Sequence, residues 1–167
     1  MKIYISSARI KKRIKKIASS LDKEYRDKNP IFIGILNGAF VFLSDLIREL
    51  KINCEIDFMK LSSYGDSKIS SGKVKMLKEL NCQVENRHII LVEDIIDSGL
   101  SIKYMKNLIE YNKPKSLKIV ALLFKKGVSN LNFKIDYVGF KINNEFVVGY
   151  GLDYAQKYRN LKAVYVL

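Results

Sequence analysis

The chain has 167 residues, 30 Lys and Arg against 17 Asp and Glu, and a formal charge of +13. That length suits one domain with a substantial core, and no run of about 18 apolar residues exists to span a membrane as a helix. The basic N-terminus lacks the apolar stretch of a secretory signal, Cys54 and Cys82 have no CxxC spacing, and His88 alone completes no common zinc set, so a soluble cytoplasmic protein with reduced thiols is expected.

Residues 7 to 27 read as an amphipathic helix, with Ile10, Ile14, Ile17 and Leu21 at helical spacing and Pro30 as a stop. Its Lys-rich segment from Arg9 to Lys16 is then a solvated helix face, and neither nucleic acid nor membrane is expected as a partner. "IFIGIL" (31 to 36) is a buried strand, Asn37-Gly38 a turn, and residues 39 to 50 a helix packed on a sheet. Residues 54 to 64 alternate as a strand, and the polar Ser/Gly stretch 65 to 75 is a loop or lid. "RHIILVE" (87 to 93) is a continuous apolar strand, followed by a helix from about Leu100 to Tyr111 and a buried strand over 116 to 126. "DYVGFKI", "EFVVGYG" and "AVYVL" are short strand candidates in the last third. Alternating strands and helices predict an α/β fold with a parallel sheet flanked by helices, whose strand C-termini share a ligand-binding edge.

At that edge stands "LVEDIIDSGLS" (91 to 101), with Glu93, Asp94 and Asp97 close together on a basic chain. The "DSGLS" turn into a helix makes a phosphate cradle from free backbone N–H groups: Asp97, Ser98 and Ser101 contribute donors, and Gly99 permits close approach. Glu93 and Asp94 would repel a phosphate but can accept from a ribose diol or hold magnesium through water. A Walker A lysine and a GxGxxG are both absent. The pattern therefore points to a ribose carrying a phosphate.

"LVEDIIDSGLS" resembles the signature of the type I phosphoribosyltransferases, in their hypoxanthine-guanine branch. Four more segments resemble that family in its order: "ILNGAFVFLSDL" its first pyrophosphate loop, "KLSSYGDSKISSGKVK" its mobile loop, "LLFKK" its base-selecting strand, and "YVGFKINNEFVVGYGLDYAQKYRNL" its C-terminal hood. The resemblance covers roughly residues 31 to 167 and implies one domain over 1 to 167, with the hood mainly over 134 to 167. It implies transfer of a phosphoribosyl group from phosphoribosyl pyrophosphate to a 6-oxopurine, with Mg2+ on the pyrophosphate, in a homodimer or homotetramer.

By the family pattern Glu93 and Asp94 hold the ribose hydroxyls and, with Asp153, the metal. Asp97 faces purine N7 as the base, and Ser98, Gly99, Leu100 and Ser101 bind the 5′-phosphate. Lys125 donates to the 6-oxo group, Phe146 stacks on the purine, and Val147 and Asp153 complete the base site. Asn37, Gly38 and Arg159 hold pyrophosphate, and Ser63 and Tyr64 belong to the lid. Two positions depart from relatives. Asn37 replaces a common Lys or Arg and adds no charge, and Leu100, where some relatives have Lys or Thr, offers only backbone. The rival from another class is a nucleotide-sensing regulator that binds RNA; within the class, Lys125 disfavours adenine, whereas xanthine stays open.

Overall fold

The computed structural model describes residues 1–63, 74–127 and 131–167. The expected lid thus lies largely outside the described residues: Tyr64 falls there entirely, and Ser63 ends a strand.

In chain order the elements are β1 (Lys2–Ile5), α1 (Ser7–Glu24), β2 (Ile31–Leu36), α2 (Phe40–Glu49), β3 (Glu55–Ser63) and β4 (Val74–Lys78). There follow β5 (His88–Ile96), α3 (Leu100–Tyr111), β6 (Ser116–Lys125), β7 (Tyr137–Ile142), β8 (Val147–Val148) and β9 (Val164–Val166). Six strands form one sheet in the order β4-β3-β2-β5-β6-β7, parallel throughout except for the antiparallel edge strand β4. A second sheet, β1-β9-β8, is antiparallel.

Strand alternation divides the core between the two faces of the large sheet. Phe32, Ile90, Val92 and Val120 point to the face covered by α1 and α2, where Ile10, Ile14, Ile17 and Leu21 supply the apolar stripe. Ile31, Ile33, Ile89, Leu91 and Ile119 point to the opposite face, covered by Ile102, Met105 and Ile109 of α3. Each fully buried side chain of this size contributes about 1.5–3 kcal/mol of transfer free energy, so the central strands are well anchored.

Several boundaries differ from the sequence reading. Helix α1 stops at Glu24, with Asp27 and Asn29 in left-handed backbone before Pro30. Strand β5 runs to Ile96, so Glu93 is not its last residue and Asp94 lies inside the strand rather than after it. Part of the polar stretch 65 to 75 belongs to β4, and β7 forms an edge of the large sheet. "EFVVGYG" shrinks to the two residues of β8, because Gly149, Tyr150 and Gly151 all have positive φ. No helix among the described residues is long and apolar enough to cross a membrane.

Candidate active site

From β2 the chain passes to β3 on one side, and from β5 to β6 on the other. The loops after β2 and β5 therefore diverge and open a crevice at the strand C-termini. The turn after β2 places Asn37 and Gly38 at its rim, and β5 brings in Glu93 and Asp94, each under 10% exposed. Gly38 is required there: a Cβ on it would lie 1.7 Å from Asp94 Oδ2.

Burial pushes the Glu93 carboxyl well above the usual carboxylate range, and the neighbouring Asp94 charge adds to this. Burial also raises Asp94, against the opposing pull of hydrogen bonds from Glu93 and from the Ile95 N–H, which donates to Oδ1 at 2.8 Å. Two crowded, buried acids that form no salt bridge among the described residues are ready acceptors for hydroxyls or a hydrated cation.

Asp97, Ser98, Gly99 and Ser101 join them in a cavity of about 250 Å³. Helix α3 starts from Gly99 at φ +79° with no side-chain cap, so its first N–H groups and partial positive charge are available to an anion. The Leu100 N–H lies 3.4 Å from Ser98 Oγ, and the exposed Leu100 side chain lines neither this cavity nor the next.

A second cavity of about 310 Å³ shares Gly38, Asp94, Ile95 and Asp97 with the first and adds Asn37, Lys125, Phe146, Val147, Asp153 and Arg159. Lys125, the last residue of β6, is buried and donates from Nζ to Asp97 Oδ2 at 2.9 Å. Phe146 is half exposed and meets Tyr154 edge to face, with ring centroids 5.8 Å apart. Arg159 Nη2 pairs with Asp153 Oδ1 at 2.7 Å, and Asp153 Oδ2 accepts from the Gln156 N–H at 2.8 Å. Larger grooves exist, such as one of about 1,020 Å³ beside Met76 and Tyr111, but the buried Glu93–Asp94 pair, Asp97 and Lys125 line the two smaller cavities at the strand C-termini.

The structure thus gathers the expected site residues in one crevice, apart from Leu100 at its edge and the lid pair. Sequence reasoning missed Ile95 and Leu152, which line the second cavity. Ile95 sits between the acids and Asp97 in the quoted stretch, but an isoleucine carries no chemistry to flag it.

Among the described residues no group of three or more His, Cys, Asp or Glu side chains forms a metal cage. Magnesium takes one or two carboxylates and completes its shell with water and substrate phosphates. The Glu93–Asp94 pair fits this demand, whereas both Asp153 oxygens already have protein partners.

A family model described as the phosphoribosyl transferase domain matches residues 3–155, and the chain belongs to that family. Within it, the chain is 49% identical over 166 residues to the hypoxanthine-guanine phosphoribosyltransferase of Bacillus subtilis, covering 99% of this chain and 92% of that protein. Two crystal structures superpose at TM-score 0.94: a hypoxanthine phosphoribosyltransferase from Staphylococcus aureus, 38% identical, covering 100% of this chain and 91% of that one, and a hypoxanthine-guanine phosphoribosyltransferase from Bacillus anthracis, 39% identical, covering 100% and 98%. The family expected from the sequence is therefore the family found.

Proposed function

We propose that this enzyme of purine salvage transfers the 5-phosphoribosyl group from phosphoribosyl pyrophosphate to hypoxanthine and guanine, giving IMP and GMP plus pyrophosphate. One observation carries the choice of base: Lys125 Nζ and Asp97 Oδ2 stand 2.9 Å apart in the cavity bordered by Phe146. A 6-oxopurine presents O6 and N7 on one edge, about 3 Å apart. A donor and an acceptor at that spacing match O6 and a protonated N7 together.

In this reading the purine slides against Phe146 and opens the ion pair, so that Lys125 donates to O6 and Asp97 accepts the N7 proton. The bond from C1′ to the pyrophosphate oxygen breaks, the bond from N9 to C1′ forms, and the N7 proton passes to Asp97. Glu93 and Asp94 hold the ribose hydroxyls, and the α3 N-terminus with Ser98, Gly99 and Ser101 holds the 5′-phosphate. Arg159 and the Asn37–Gly38 turn receive the leaving pyrophosphate, and backbone at Val147 meets the far edge of the base. Glu93 and Asp94, or Asp153, would hold magnesium together with the substrate, and the metal would neutralise the pyrophosphate charge when bound.

The proposal extends to a cytoplasmic homodimer or homotetramer; two free cysteines support the cytoplasmic location, the exposed Phe40 at the start of α2 supports the assembly, and light scattering reads the mass. The activity is tested by supplying phosphoribosyl pyrophosphate, magnesium and hypoxanthine, guanine, xanthine, adenine or uracil in turn. Nucleotide from hypoxanthine and guanine is expected; turnover of adenine alone, or of no base, overturns the reading.

A further inference from the structure

Residues 149–151 read Gly-Tyr-Gly, and all three adopt left-handed backbone, with φ of +95°, +54° and +100°. Glycine does this freely, but a bulky residue holds such a conformation only where its surroundings over-determine it. Tyr150 is so held. Its ring is buried in the core, its N–H donates to the Leu161 carbonyl at 2.9 Å, and its hydroxyl donates to Asp45 Oδ2 at 2.5 Å. Burial and the Asp45 carboxylate push the Tyr150 hydroxyl above its usual range, which keeps it a donor.

Asp45 stands on α2, the helix that begins just after the Asn37–Gly38 turn. The next residue after Tyr150 presses on that same turn. A Cβ on Gly151 would lie 2.2 Å from the Gly38 carbonyl oxygen, just as one on Gly38 would lie 1.7 Å from Asp94 Oδ2. Asp94, Gly38 and Gly151 are therefore stacked with no space between them. Gly151 is also tied to Arg159 twice, donating its N–H to the Arg159 carbonyl at 3.0 Å and accepting from Arg159 Nη1 at 2.8 Å. Arg159 in turn holds Asp153. Any shift of Tyr150 is thus transmitted to Gly151, Arg159 and Asp153 together.

We propose that Tyr150, through its hydroxyl bond to Asp45, is a positioning residue that fixes the separation between the Arg159–Asp153 wall and the Asn37–Gly38 turn, and so the pyrophosphate side of the site. The inference rests on the phosphoribosyl-transfer reading above. Neither Tyr150 nor Asp45 lines the two site cavities; both line a separate one of about 650 Å³ behind the turn. The Lys125–Asp97 pair lies outside this linkage, so the contacts proposed for O6 and N7 of the base are spared.

Tyr150→Phe and the half-exposed Asp45→Ala each remove the bond, Asp45→Asn keeps an acceptor, and the double variant closes a cycle. KM for phosphoribosyl pyrophosphate, and for pyrophosphate in the reverse direction with IMP, is expected to rise about three- to ten-fold in the two single variants, with KM for hypoxanthine within about two-fold. Asp45→Asn recovers most of the loss, and the double variant is no worse than the worse single. An unchanged pyrophosphate-side KM overturns the inference, as do equal rises in KM for both substrates accompanying a lowered Tm, or additive losses in the double variant. Calorimetric titration of pyrophosphate into each variant reads the positioning role even should no base be turned over, and so separates failure of this inference from failure of the functional reading.

Discussion

Replacing Lys125 by Ala removes one ammonium from a buried position while leaving its partner solvated, since the Asp97 side chain is 63% exposed and the Lys125 side chain only 10%. Water can take over the Asp97 carboxylate, so folding stability should change little. The loss falls instead on the bound base, whose O6 is left facing the end of β6 without a donor. A hydrogen bond from a charged group is worth about 1.5–3 kcal/mol, which corresponds to roughly a ten- to hundred-fold fall in kcat/KM for hypoxanthine and guanine. Adenine, whose 6-amino group gains nothing from an ammonium, should be affected hardly at all. The exposed neighbour Lys126 is the control: Lys126→Ala removes the same charge without an O6 contact. Catalytic efficiencies for four purines, measured at two salt concentrations in both variants, separate a specific contact from a general positive potential. A uniform, salt-dependent loss across all bases in both variants would falsify the O6 assignment.

Asp97→Asn should retain both substrates but lose about 10² or more in kcat, because the proton acceptor is gone while the cradle's backbone remains; single-turnover kinetics with near-normal rates would remove Asp97 from that role. Gly38→Ala must displace Asp94, and is expected to cost about 1–3 kcal/mol in urea unfolding and to raise KM for phosphoribosyl pyrophosphate; wild-type values in both assays would contradict the close contact. Asp57 gives a pH prediction. Burial raises its carboxyl, but N–H donors from Cys82, Phe58 and Asn81 outweigh that and hold it below the usual range. A depressed native value contributes stability above the unfolded value of about 3.9, lost as pH falls through the native one. Asp57→Asn, which turns an amide toward these donors, should cost about 2–4 kcal/mol at pH 7, with the gap to wild type closing below about pH 4; a gap that is flat from pH 7 to 3 would refute it.

The parts of the fold legible in the sequence are those decided within a few residues. β2 and α3 match their expected limits because the apolar run "IFIGIL" and the spacing of Ile102, Met105 and Ile109 are local signals. β1 was missed because "KIYI" becomes a strand only by pairing with residues at the far end of the chain. β4 was missed because its lysines read as loop, although an edge strand tolerates them. In the site, charged groups announced themselves: Glu93, Asp94, Asp97 and Lys125 were found by chemistry and by family likeness. Apolar Ile95 and Leu152 were not, and neither was the contact of Gly151 with Gly38, which depends on how two distant segments fold onto each other.

The pairing of β1 with β9 also orders events in time. Residues 2–5 are made well before their partner strand at 164–166, so the small sheet cannot close until that distant segment is available. The large sheet requires nothing beyond Ile142 and can assemble earlier, domain cores forming as synthesis proceeds. Such distant pairings form slowly because of the loop that must be closed first. Phe146, Asp153 and Arg159 all belong to the late segment, so a nascent chain already carrying Glu93, Asp94 and the start of α3 still lacks one wall of the second cavity. On the proposed function, catalytic competence waits for this later segment, and a chain stalled before Phe146 is expected to be inert rather than a slow enzyme.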